Sequence, residues 1–142
     1  LLTYIQTEMQ LAQGQIVDAL EKVRALVTYL KQARILYFLP EALALKARLE
    51  LRLEQVAVAD QSLTEAYQIA STINFRTQAW KLAATLAQRA EQAGQLAQAV
   101  VFREEAKTMV AFICANIQDQ DVLARFRVFV EENGVSLPQY QS

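Results

Sequence analysis

One pattern recurs along this chain at a spacing of 40 residues: Gly14-Gln15-Ile16 to Ala19, Glu54-Gln55-Val56 to Ala59, and Gly94-Gln95-Leu96 to Ala99. A period between about 20 and 50 residues marks a solenoid. One short supersecondary unit cannot bury its own apolar face and must stack on copies of itself. The 54% hydrophobic content is carried largely by Ala and Leu, both strong helix formers, while Gly and Pro together number five. With 142 residues the chain can bury a core without disulfides or a metal. The expected fold class is all-α, an α-α superhelix of three helical hairpins with a 40-residue period and a C-terminal capping helix.

The scarce breakers fall where such a repeat needs them. Gly14 and Gly94 lie between periodic segments, Asn74 divides two others and Gly134 closes the last. Such residues accept the left-handed conformation that ends a helix. Pro40 suits a helix's first turn, where its missing N–H has no intrahelical partner. The pattern predicts helices over 1–12, 16–36, 40–53, 56–73, 76–92, 96–117 and 119–132. They group into units of about 1–36, 40–73 and 76–117, followed by the cap, within a single domain spanning 1–142. Asp119 reads as the N-cap of the last helix, whose Val122, Leu123, Phe126, Phe129 and Val130 form one apolar stripe. The pattern is already mid-helix at Leu1, so the chain reads as a piece of a larger protein.

Helix 40–53 carries two apolar faces, Ala42, Leu49 and Leu53 on one side and Ala44, Ala47 and Leu51 on another, and should pack against neighbours on both. Between them run polar ridges, Glu41, Arg48 and Arg52 on one and Lys46, Glu50 and Glu54 on the other.

Several chemistries are excluded. The chain has no His, which removes Ser-His and Cys-His nucleophile pairs, the usual zinc sites and imidazole acid-base work. The three glycines are far apart and form no phosphate-cradling loop. Glu104-Glu105, Asp119-Asp121 and Glu131-Glu132 are too close along one helix to converge on a substrate, so they read as surface charge. No enzyme, metal or cofactor is implied. The net charge of −1, with acids and bases interspersed, supplies no basic stripe for nucleic acid. No run of about 20 apolar residues could cross a membrane and no leader opens the chain, so the expectation is a cytoplasmic protein. Cys114 reads as a small core residue, Trp80 as core and Phe75 as a staple across a helix entrance. Tyr29, Tyr37 and Phe38 should seal the first two units together.

Leu86-Ala87, Ala90, Gly94, Ala99 and Ala106 in the third unit, Ala47, Ala59 and Ala66 in the second, and Gly14 and Ala19 in the first resemble the tetratricopeptide repeat family. The chain departs from that family at Lys46 and Glu50, which stand at usually apolar positions, and in the length of its repeat. Leu45-Lys46-Ala47-Arg48-Leu49 and Ile117-Gln118-Asp119 with Phe126 are similar to the arrays near the C-termini of large bacterial signalling ATPases, cyclases and maltose-activator-type transcription regulators.

The resemblance implies that first helices line a concave groove, selecting Glu8, Glu41, Arg48, Arg52, Lys81, Gln88, Glu91 and Gln92. Glu8, Arg48 and Gln88 would form one column along the stack, with Arg48 and Arg52 able to fork onto a partner carboxylate. The alternative is a solvated ridge paired within itself. The functional expectation is a regulatory protein-interaction module of a larger bacterial signalling protein, taking a peptide or neighbouring domain in the groove. A small-ligand sensor using Lys46 and Glu50 is the second reading, and a homodimer through residues 1–36 the third.

Overall fold

The computed structural model describes residues 15–138, so the expected helix 1–12 and the groove candidate Glu8 lie outside them. Among the described residues the protein is all-helical, with six helices and no strand. They are α1 (Ile16–Gln32), α2 (Leu39–Arg52), α3 (Val56–Thr72), α4 (Arg76–Gln92), α5 (Leu96–Ala115) and α6 (Gln120–Glu132). The chain divides into two compact units, Leu1–Phe75 and Arg76–Ser142.

Five of the helices end in the same way. Arg34, Glu54, Asn74, Gly94 and Gly134 all have positive φ, between 56° and 87°, and the first four are spaced 20 residues apart. After each, the next N–H reaches back to a carbonyl five residues earlier. These bonds are Ile35 to Leu30, Gln55 to Glu50, Phe75 to Ala70, Gln95 to Ala90 and Val135 to Val130, at 2.8–3.2 Å. The positive-φ residue itself donates to the carbonyl three back, so each end forms a Schellman motif that satisfies two otherwise stranded carbonyls.

This explains the largest boundary error. The sequence pattern runs helix 16–36 on because no Gly, Asn or Pro interrupts it, yet α1 stops at Gln32. Arg34 takes the left-handed conformation that glycine takes elsewhere, at φ 56°.

In the first unit α2 packs against both α1 and α3. Its fully buried positions, Leu39, Ala42, Leu43, Leu45, Ala47 and Leu49, lie on several sides of the helix, as two packed faces require. The opposing stripes are narrower: Ala19, Leu20, Val23, Val27 and Leu30 on α1, and Ala59, Leu63, Ala66 and Ala70 on α3. Alanines on the α3 stripe let the backbones approach closely.

In the second unit α4 and α5 form an antiparallel hairpin through the Gly94 turn. Ala99 and Ala106 on α5 are fully buried and repeat the small-residue crossing. Trp80 on α4 is 1% exposed and meets Phe126 and Phe129 of α6 edge to face, with ring centroids 6.1 and 5.8 Å away. Asp119 caps α6 as expected, Oδ1 accepting from the N–H groups of Asp121 and Val122 at 2.9 and 3.1 Å. The α6 stripe is buried at Val130, half-buried at Leu123 and Phe126, and exposed at Val122 and Phe129.

Candidate functional site

The α2 ridges have opposite fates. Glu41, Arg48 and Arg52 are exposed, whereas the ridge assigned to Lys46 and Glu50 turns inward against α3. Glu50 is wholly buried. Its Oε2 accepts from Lys46 Nζ at 2.9 Å and its Oε1 accepts from Ser62 Oγ at 2.8 Å. Lys46 Nζ also donates to Ser62 Oγ at 2.8 Å, closing a three-membered ring of contacts between the two helices. Ser62 Oγ lies 3.2 Å from the Val58 carbonyl, the weaker claimant on its single proton. Lys46 and Glu50 therefore replace an apolar contact with a satisfied polar one. Their charges are answered by each other and by Ser62.

The aromatic residues near the α1–α2 connection stay largely at the surface rather than in the core. Tyr29 and Tyr37 are each 60% exposed and Phe38 is 42% exposed. Phe75 stacks on Tyr37, centroids 4.6 Å apart and planes at 20°. Tyr37 also meets Phe38 edge to face.

In the second unit the groove candidates are engaged within the unit. Lys81 is half-buried, with Nζ 5.8 Å from the centre of the Phe129 ring. Gln92 accepts a hydrogen bond from Arg89, and Glu91 forms an ion pair across the hairpin with Arg103 on α5. Gln88 is exposed and its Nε2 lies 3.3 Å from the position that a Cβ on Gly134 would take.

Gln88 and Glu91 share a cavity of about 180 Å³. Its floor is apolar, made by Ala84 and Ala87 of α4 and Ala106 of α5. Arg103 and Lys107, one turn apart on α5, form a charged side, and residues 134–136 close the remaining wall. That tail is held at two points. Val135 is buried, and Arg127 Nη2 donates to the Pro138 carbonyl at 2.8 Å.

The family resemblance selected Gln88 and Glu91 but not Arg103 and Lys107. A signal for both exists in the repeat register. Forty residues before Arg103 stands Leu63 and eighty before stands Val23, both buried; Lys107 corresponds to Tyr67 and Val27. Charge therefore stands at positions that are apolar or aromatic 40 and 80 residues earlier.

Cys114 is half-buried rather than a core residue. Burial raises its pKa above the ordinary thiol range, and the nearby Arg127 charge opposes that rise. Among the described residues no cluster of three or more His, Cys, Asp or Glu could hold a metal, and no helix is long and apolar enough to cross a membrane.

No protein-family model matches the chain, and no curated protein or solved structure matches it.

Proposed function

We propose that this chain is a protein-interaction module of the tetratricopeptide-repeat kind, working in the cytoplasm as part of a larger regulatory protein and holding a peptide or neighbouring domain. The observation that carries this reading is the exposed ridge of α2. The helix is buried on two sides against α1 and α3, yet it keeps Glu41, Arg48 and Arg52 at the surface. Arg48 and Arg52 are one helical turn apart, a spacing from which two guanidinium groups reach a common carboxylate. Helix ends recurring every 20 residues add support, because regular stops are what a stacked repeat requires. The absence of His and of any Gly-rich loop leaves binding as the better-supported class over catalysis.

The test is affinity capture from a bacterial lysate with the wild-type chain and an Arg48→Glu, Arg52→Glu variant, identifying retained proteins by mass spectrometry. Both side chains are exposed, so helicity should not change. A partner held by wild type and lost by the variant supports the reading. Identical captures would remove the ridge from the binding surface.

A further inference from the structure

We infer that the cavity between α4, α5 and residues 134–136 is a binding site for a small zwitterion, specifically a free α-amino acid. This goes beyond the partner-binding reading, which is carried by the α2 ridge, and does not depend on it, although Gln88 and Glu91 were also groove candidates. The first argument is size. At about 180 Å³ the cavity lies below the ~300 Å³ at which drug-sized pockets begin. That size suits a ligand of amino-acid dimensions.

The second argument is charge. The lining carries both signs, Arg103 and Lys107 against Glu91, around an alanine floor. A carboxylate between Arg103 and Lys107, with an ammonium next to Glu91, would answer both signs of the lining. A plain anion would leave Glu91 facing like charge, and a plain cation would face Arg103 and Lys107. The Glu91–Arg103 pair must open to admit the ligand. Its side chains are 38% and 41% exposed, and a pair so solvated contributes little to stability. A zwitterion replaces each lost half with its equivalent. Lys107 is similarly disposable to its present neighbour, with Nζ 3.7 Å from Glu104 Oε1 at the surface.

The third argument is the change of residue type along the register. Val23 and Leu63 occupy the corresponding register positions as buried side chains, whereas the third occurrence is Arg103. The ligand side chain would lie over Ala84, Ala87 and Ala106, and Gln88 stands at the rim as a hydrogen-bonding group.

The experiment is thermal unfolding of the full chain with each common L-α-amino acid at millimolar concentration. Each hit is repeated with the amine lacking its carboxylate and the acid lacking its amine, since a ligand that binds only the folded state raises the midpoint. The expected result is a rise with one or a few amino acids and none with either half-molecule. Calorimetry should then show affinity reduced at least about tenfold, or ~1.4 kcal/mol, in Arg103→Gln and in Glu91→Gln. Ala84→Leu, which fills the floor and keeps every charge, should abolish the rise. It decides the matter if a charge variant fails to fold, as judged by circular dichroism. No rise with any amino acid, an equal rise with the acid alone, or a rise retained in Ala84→Leu would overturn the assignment.

Discussion

Replacing Lys46 with Met removes the ammonium that answers Glu50. The carboxylate is 0% exposed and, among the described residues, would keep the Ser62 hydroxyl, now 2.8 Å from Oε1, as its partner. Breaking a buried ion pair from one side costs about 3–5 kcal/mol, because the remaining charge stays desolvated. Lys46 is 18% exposed, so the pair is not sealed on the ammonium side and the lower part of that range, about 3 kcal/mol, is the expectation. The same exposure predicts an asymmetry. Glu50→Met leaves an ammonium that can still reach water and should cost about half as much, ~1.5 kcal/mol. The double variant Lys46→Met, Glu50→Met strands no charge, and Ser62 retains the Val58 carbonyl 3.2 Å away as an acceptor. Exchanging a buried pair for packed apolar groups is often neutral or stabilising, so its stability should lie within about 1 kcal/mol of wild type or above it. Urea unfolding followed by helical circular dichroism, with one slope for the series, gives all four values. A Lys46→Met variant within about 1 kcal/mol of wild type, or a double variant as weak as Lys46→Met alone, would refute the claim that the pair is buried and coupled.

The remaining predictions concern local features. Glu54 has φ 61° where Gly94 has 76°, so Glu54→Gly should raise stability by about 1 kcal/mol, and Arg34→Gly should act in the same direction. Gly94→Ala should lower it by about 1 kcal/mol in thermal unfolding. An added Cβ there meets nothing within 4 Å, so the whole effect is backbone conformation. Asp119→Ala removes the acceptor of two N–H groups at the start of α6 and should cost about 1 kcal/mol, with Asp119→Asn recovering most of it. Cys114 should react with a disulfide reagent more slowly than free cysteine at neutral pH. Its rate should climb with pH through a range above that of an ordinary thiol, because burial disfavours the thiolate. Arg127→Gln should push that range higher still, as the cation favouring the thiolate is gone.

The helices were legible because their signals are local. Apolar periodicity placed α4 at 76–92, as the structure has it, and Asp119 was readable as a cap from its position alone. Gly94, Gly134 and Asn74 announced their left-handed turns. Arg34 announced nothing, and the predicted end of α1 overran by four residues, to 36 rather than Gln32. A Schellman turn there depends on the chain being needed elsewhere, not on the preference of the residue that makes it. Surface placement was harder. Tyr37 and Phe38 look like core by composition, yet their rings stand largely exposed, Tyr37 stacking on Phe75. Apolar chemistry favours burial without specifying which residues obtain it.

By itself the amino-acid sequence determined an all-helical chain, most of its helix limits and the exclusion of His-dependent chemistry. Those follow from propensity, periodicity and capping, which act within a few residues. Only the tertiary structure decided that Glu50 is buried and meets Ser62, 12 residues away, and that Lys46 joins them both. It alone set Arg103 and Lys107 beside Gln88 and the tail. Whether a charged side chain reaches water, a partner or a cavity depends on which helix faces meet, and a single helix's periodicity carries no record of the face opposite.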